Sequence, residues 1–469
     1  MLSVGTSFGP EFGGCTTRDG FCGAGGGAAG AAAGGAAAGG AAGVAGFAVP
    51  GLGNGCGVCA RTSNATTSGT IIAIIGACCD SSTRALAVAA AYIRMIELLR
   101  YAEQHASEIV QTLETLVRLE SPSTDKAAVD RCGATLASIL RAREAHVEFL
   151  KQTDRGDHVR AHIAGDGAPV LLLGHFDTVW PLGTLERMPF RREGDRLYGP
   201  GAFDMKAGIA IGIAAVAALR ATRTRHPPVT MLWTTDEEIG SGTSRETIEA
   251  EARQARAVLV LEPALPGGAL KTARKGVGQY DVVVHGISAH AGLDPGKGAS
   301  AIHELAAQIA AIERLQDLER GVSVNAGLIS GGTRPNVVAE EARATIDVRA
   351  ITLADADRVD AELRGLRTTR RGTRLTIQGG FERPPLERTA AVVALFARAT
   401  AVAKALGREL QEGSAGGGSD GNFTAALGVP TLDGLGAVGD GAHAAHEHVD
   451  ASALPWRAAL LAGLIAELE

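Results

Sequence analysis

From Met95 the chain reads MIELLRYAEQHASEIVQTLETLVRLESPS. Apolar residues recur every three to four positions, at Ile96, Leu99 and Ala102 and again at Ile109, Leu113 and Leu116, which is the period of a helix with one buried face. Further on, short apolar runs alternate with helical stretches. Val170–Leu173, Val229–Trp233 and Ala257–Leu261 read as buried strands, and Ala207–Leu219 and Arg245–Arg256 as helices between them. Such alternation predicts an α/β sheet with helices on both faces.

The pattern changes between residues 274 and 380. Gln279–Val284 and Ala342–Val348 alternate apolar with polar positions, while Ser300–Arg314 and Asp355–Leu366 carry helical periodicity. A β-α-β-β-α-β order fits a separate small sheet domain. After Phe381 the α/β pattern resumes. The expected organisation is therefore a main α/β domain in two parts, 95–273 and 381–469, with an α+β, ferredoxin-like domain inserted at 274–380. Residues 23–46 contain only Gly, Ala and Val44. A segment of that kind cannot bury enough side chain to offset chain entropy. Residues 1–94 are accordingly expected to be disordered or not native, with Met95 as an alternative start to Met1.

Composition narrows the function classes. Net charge is -6 over 469 residues, and no basic block suggests a nucleic-acid partner. No uninterrupted apolar run reaches the roughly 18–20 residues of a membrane span. Ile71–Cys79 is too short, and Asp80 and Arg84 make insertion of Ile71–Ile93 costly. Without a secretory pattern at Met1, the expected location is cytoplasmic. Of the seven cysteines only Cys132 lies beyond residue 79, so a disulfide framework for the main body is excluded. Cys56 and Cys59 have the spacing of half a zinc site, but no second pair follows, and they read as tail residues.

The chemistry lies at the strand ends. After Val170–Leu173 comes Gly174-His175-Phe176-Asp177, and a glycine-rich turn supplies Asp204 in GPGAFDMKAG. Asp236-Glu237-Glu238 follows Val229–Trp233, Glu262 follows Leu261, and GAHAAHEHVD supplies His443. Ligands of α/β sheets bind outside the carboxyl ends of the strands. So many like charges in one place need cations, and imidazole with carboxylate suits zinc, with Co2+ or Mn2+ as substitutes. Two metals sharing a bridging carboxylate polarise a carbonyl and lower the pKa of a water. His175 and Asp177 are two apart and face the same way on an extended chain, so Asp177 can hold the far ring nitrogen of His175. Glu237 and Glu238 can diverge, one binding metal and the other carrying a proton. Each residue alone has an ordinary structural explanation, as a turn, cap or surface residue. Only the joint pattern points to a site.

The runs GHFDTVWP, YGPGAFDMKAG, TDEEIGS, the EP after Leu261, GISAHAG, NVVAE and GAHAAHEHVD resemble the dizinc exopeptidases and deacylases. That group includes acetylornithine deacetylase, succinyl-diaminopimelate desuccinylase, aminoacylase and bacterial glutamate carboxypeptidase. The likeness runs from about residue 100 to 469 and is nearest to the carboxypeptidase G type, through MPFRREGDRLYGPG and TDEEIGSGTSRETIEAEA. It implies a zinc-exopeptidase-like catalytic domain with an inserted lid and dimerisation domain. It further implies two Zn2+ per subunit, held by His175 with Glu262 and by Glu238 with His443, with Asp204 bridging. Glu237 would be general base and then acid, with Asp177 behind His175. His290 would reach the active site of a partner subunit in a homodimer and stabilise the oxyanion. Asn336 and Arg349 would hold substrate from the lid, Gly418 and Ser419 would line the pocket, and Arg383 resembles a further carboxylate-side arginine. His443 has an H-x-x-x-E spacing to Glu447, whereas His446 touches Glu447 directly, so the final ligand has two candidates. None of Lys271, Arg274 and Lys275 aligns with the lysine by which glutamate carboxypeptidase recognises the glutamate side chain.

The resemblance thus predicts a metallocarboxypeptidase releasing a C-terminal amino acid, glutamate foremost, from a small N-acyl or peptidyl (folate-like) substrate. An N-acyl-amino-acid deacylase with the same site is the alternative within enzymes. A catalytically inactive, metal-free dimeric binding protein is the alternative outside them, which the intact Glu237 and full ligand set disfavour.

Overall fold

The structure is a computed structural model that describes residues 82–469, with side chains described from residue 89. The Gly/Ala-rich run, Cys56 and Cys59, and Ile71–Cys79 lie outside the described residues. The main helices are α1 (Ser82–Gln104), α2 (Ala106–Val117), α3 (Lys126–Arg141), α4 (Ala207–Ala221), α5 (Arg245–Gln254), α6 (Ala301–Glu313), α7 (Leu353–Gly365), α8 (Ala390–Ala405), α9 (Gly421–Ala426) and α10 (Ala453–Ala466). The main strands are β1 (His146–Leu150), β2 (His158–Ile163), β3 (Val170–His175), β4 (Val229–Thr234), β5 (Ala257–Val260), β6 (Gly276–His285), β7 (Ser323–Gly331), β8 (Glu341–Ala350), β9 (Arg374–Arg383) and β10 (Thr431–Leu432).

One expectation needs correction here. The boundary drawn at residue 94 falls inside α1, which begins at Ser82. The alanine-rich stretch before Met95 has high helix propensity and simply continues the turn pattern. Met95 itself is buried against Gly463 of α10, and Leu98 is fully buried.

The large sheet runs β1-β2-β4-β3-β5-β10. β3 pairs in parallel with β4 and β5, and β5 with β10, while β1 and β2 add an antiparallel edge. β3 shows why an unbroken apolar run makes a central strand. Val170 and Leu172 face a core built with α1, α2, α4 and α10. Leu171 and Leu173 face a second core containing Ile248 and Ala252 of α5 and Phe423 of α9. Each such buried side chain contributes about 1.5–3 kcal/mol of transfer free energy. Because β4, β3 and β5 run parallel, their carboxyl ends open at one edge, where Asp236–Glu238, His175–Asp177 and Glu262 follow them.

The small sheet is antiparallel in the order β7-β8-β6-β9, reached along the chain as β6-α6-β7-β8-α7-β9. Tyr280, Val282 and Val284 of β6 and Ala344, Ile346 and Val348 of β8 form a separate core with Leu305 and Ile312 of α6 and Val359 and Leu363 of α7. Ser300 and Thr352 cap these helices by accepting from the third backbone N–H onward. β7 is an edge strand that leaves Leu328 and Ile329 about two-thirds exposed. Among the described residues, one helical stretch is long and apolar enough to cross a membrane, Ala202–Ala221. It is mostly buried, with α4 packed on α1, α2 and α10 in the core of the large sheet.

Candidate metal centre

His175 is the last residue of β3 and fully enclosed. Its Nδ1 lies 3.0 Å from the backbone oxygen of Asp177 and 3.3 Å from Asp177 Oδ1. That pairing assigns the ring proton to Nδ1 and turns Nε2 toward the cleft. Asp177 also accepts from Ser123 Oγ at 2.7 Å and from the backbone N–H groups of Glu237 and Glu238 at 3.4 and 3.3 Å. One buried carboxylate thus ties the imidazole to the turn after β4.

Asp204 stands at the centre. Its Oδ1 lies 3.5 Å from His175 Nε2, which is also 3.5 Å from Glu262 Oε1. Its Oδ2 lies 3.5 Å from His443 Nε2, which is 3.1 Å from Glu238 Oε2. Ligands about 2.0–2.2 Å from a tetrahedral ion stand roughly 3.3–3.6 Å apart. Asp204 Oδ1 is buried without a hydrogen-bond partner, an arrangement that costs free energy unless something else satisfies it. His175, Asp204 and Glu238, and likewise His175, Glu237 and Glu262, offer ligand atoms within 4.8 Å of one another. These two candidate clusters fit a dinuclear centre.

The electrostatics carry the same message. Burial raises the Glu237 carboxyl well above its ordinary range, against the pull of Arg383 and His175. Burial also raises Glu238, although His443 opposes it. Burial disfavours a charged His175, but Asp177, Asp204 and Glu262 outweigh it and push its pKa well up. His443 is lifted to about 9, chiefly by its contact with Glu238. Without cations, protons would have to hold these carboxylates together; divalent ions do so at neutral pH.

Glu447 supports the centre from behind. Its carboxylate accepts from the backbone N–H groups of Gly201, Phe203 and Asp204 and from Trp180 Nε1, at 2.8–3.1 Å. It therefore shapes the turn that presents Asp204. His443 faces Asp204 and Glu238; His446 instead gives its backbone oxygen to His448 Nδ1.

The clusters open into a cleft of about 520 Å³ lined by Asp204, Glu237, Glu238, Glu262, Gly418 and His443, with Lys271 and Arg274 among its other walls. Ser419 lies behind that wall, donating to Asp433 Oδ2 at 2.7 Å. Arg383 does not line the cleft: it is buried behind Glu237 and bonded to protein groups. The lid residues stand apart from this cleft. His290 is exposed on the inserted domain, with Nδ1 accepting from the N–H groups of Gly292 and Leu293. Asn336 is exposed beside it, its backbone oxygen accepting from the Ala291 N–H. Arg349 is paired with Asp347 at 2.8 Å.

Sequence reasoning missed the carboxylates that hold the frame. Asp433 takes Arg274 in a two-pronged pair at 2.8 and 2.9 Å, and Asp420 takes Arg383 at 2.9 Å. Asp420 adjoins Ser419 in GGGSD and could have been found there; Asp433 sits in a loop without a signal of its own.

An α/β fold carrying two His/carboxylate clusters at the open edge of its parallel strands, with a sheet-rich domain inserted, defines the class: a metal-dependent hydrolase. The family model described as peptidase family M20/M25/M40 matches residues 171–467, and the chain belongs to that family. It is 30% identical over 382 residues to carboxypeptidase G2 of Pseudomonas sp. (strain RS-16), covering 79% of this chain and 92% of that one. It is 30% identical over 351 residues to a succinyl-diaminopimelate desuccinylase of Stenotrophomonas maltophilia, covering 69% and 91%. Among solved structures, the aminopeptidase PepT of Bacillus cereus superposes with a TM-score of 0.65 at 22% identity, covering 77% and 98%, which supports the shared fold.

Proposed function

We propose that the chain is a dizinc carboxypeptidase that hydrolyses the amide releasing a C-terminal amino acid, glutamate foremost, from N-acyl or folate-like substrates. The observation that carries this reading is Asp204, whose two oxygens face two separate imidazole–carboxylate pairs. In this reading His175 and Glu262 would hold one ion and Glu238 and His443 the other, with Asp204 contributing to both. Two Zn2+ ions so held would supply a lowered pKa for a water and polarisation of the scissile carbonyl. Glu237 lies within reach of the centre, in the cluster with His175 and Glu262, but this reading leaves metal binding to the other five groups, so Glu237 takes the proton of the attacking water and passes it to the leaving nitrogen. Asp177 keeps His175 in the tautomer that leaves Nε2 free. Gly418 and Ser419 shape the substrate wall. His290, Asn336 and Arg349 act on the site of a partner subunit in a cytoplasmic homodimer, His290 at the oxyanion and Arg349 at a substrate carboxylate.

The similarity to carboxypeptidase G2 supports glutamate release. The equal identity to a desuccinylase favours a second reading, an N-acyl-amino-acid deacylase that uses the same groups. A panel of N-benzoyl amino acids, N-succinyl amino acids and folate, assayed for release with Zn2+ and with chelator, separates them. Preference for N-benzoyl-glutamate and folate supports the carboxypeptidase; preference for N-succinyl substrates irrespective of a C-terminal glutamate supports the deacylase. Glu237→Gln should keep two bound metals and lose about 10²–10⁴-fold in kcat. Near-normal turnover, or loss of metal, refutes its assignment as proton carrier.

A further inference from the structure

Arg383 is the last residue of β9, where the chain leaves the inserted sheet; it pairs there with Val277 of β6. Its guanidinium is buried, and two of its three hydrogen bonds go to the turn after β4. Nη1 donates to Asp420 Oδ1 at 2.9 Å. Nη2 donates to the Ser241 hydroxyl and to the backbone oxygen of Glu237, both at 2.9 Å, and lies 3.0 Å from Glu237 Oε1. Asp420 is itself braced by the hydroxyls of Ser241 and of Thr234, the last residue of β4. The face of the guanidinium lies over Phe423, 4.9 Å from the ring centre.

We propose that Arg383 is a positioning residue for Glu237, which fixes that carboxylate for proton transfer and ties its placement to the inserted sheet. The inference rests on Glu237 being the proton carrier. A largely enclosed carboxylate with the negative charges of Asp420 and Glu262 near it would turn toward whatever cation or solvent it could find. Arg383 removes that freedom by holding both the side chain and the backbone carbonyl of the same residue. A planar guanidinium can span such a pair of acceptors while a second arm binds Asp420; an ammonium cannot hold all three in one plane. A direct role in substrate binding finds no support in the geometry, because this guanidinium is engaged by the protein and does not line the cleft.

The test is a double-mutant cycle on the holoenzyme, using the panel substrate with the highest kcat/KM. Arg383→Met should lower kcat by about 10²-fold, the scale of a 1 Å misplacement of a reacting group. KM should change by less than about threefold and zinc content should stay at two per chain. Arg383→Lys restores a charge without the fork and should recover only part of kcat. In a Glu237→Gln background the Arg383→Met change should cost almost nothing more, since the group it positions is gone. Where Arg383→Met does not fold because Asp420 is left unpaired in the interior, the paired Arg383→Met/Asp420→Asn variant replaces it in the cycle. A raised KM with unchanged kcat, or an equal loss in the Glu237→Gln background, overturns the inference. Near-normal turnover of Glu237→Gln alone overturns instead the assignment of the proton carrier on which the inference stands.

Discussion

Gly208, at the start of α4, presses against the strand end that carries Glu262. A Cβ placed on it would meet the backbone oxygen of Leu261 at 2.0 Å, and the Met205 side chain at 2.8 Å. Ordinary contact begins at 3.4 Å, so Gly208→Ala must part helix and strand by about 1.4 Å. Leu261 cannot retreat freely, because Gly436 also packs close to the same oxygen: a Cβ built on it would lie 2.1 Å away. The neighbouring atoms belong to a close-packed core, so the displacement travels to Glu262, the next residue. We expect a loss of about 1–3 kcal/mol of stability, the usual cost of overpacking. We also expect weaker metal retention and, with Glu262 misplaced by about 1 Å, a fall in kcat of about 10²-fold. Gly365→Ala, in the last turn of α7, is the control: nothing lies within 4 Å of its Cβ, so it should leave metal retention and kcat unchanged and stability no lower. Denaturant unfolding, elemental analysis after dialysis and steady-state kinetics provide the readouts. A Gly208→Ala protein with wild-type stability and wild-type zinc retention would refute the claim that this contact sets the position of Glu262.

Three further outcomes follow from the proposed function and from the structure. Chelation should abolish turnover and lower the unfolding midpoint, because ligand-binding free energy adds to the folded state, and Zn2+ should restore both; unchanged stability on chelation would count against a buried dinuclear centre. On the proposed reading, in which His290 serves the site of a partner subunit, mixed dimers of Glu237→Gln with His290→Ala should regain activity that neither parent has, since one site would then carry neither lesion; verified mixed dimers that stay inactive would place His290 outside catalysis. Asp157 is held at a pKa of about 2, because Lys151, the Gln152 N–H and Lys126 outweigh the burial that would raise it. Its contribution is present above its ordinary value of 3.8 and is lost as pH falls through about 2. Asp157→Asn should therefore cost roughly 1–2 kcal/mol at pH 7, allowing for screening of the exposed Lys151, and less on acidification; a cost independent of pH would show that packing rather than charge is at stake.

The linear pattern of residues determined the large features. Unbroken apolar runs can only be strands covered on both faces, so β3, β4 and β5 were legible together with the helices that cover them. Period-two alternation marked β6 and β8 as strands with one buried face, and the acidic and imidazole residues stood immediately after the strands. The start of α1 was not legible, because an alanine-rich approach to Met95 carries no apolar periodicity of its own and looks like low complexity. Which imidazole joins the centre was likewise open, since His443 and His446 lie in one short loop, and spacing along a chain does not specify which side chain turns inward. In the folded chain it is His443 whose ring faces Asp204 and Glu238. Tertiary structure also decided the placement of Glu447, Asp420, Asp433 and Arg383, whose partners are far away in sequence. Arg383 is the clearest case: as an isolated arginine near a carboxylate site it suggests a substrate contact, and only the folded chain shows its donors turned to Glu237, Ser241 and Asp420. Periodicity encodes which face of an element is buried. It does not encode which buried charges meet, because that depends on how elements distant in sequence converge at one edge of the sheet.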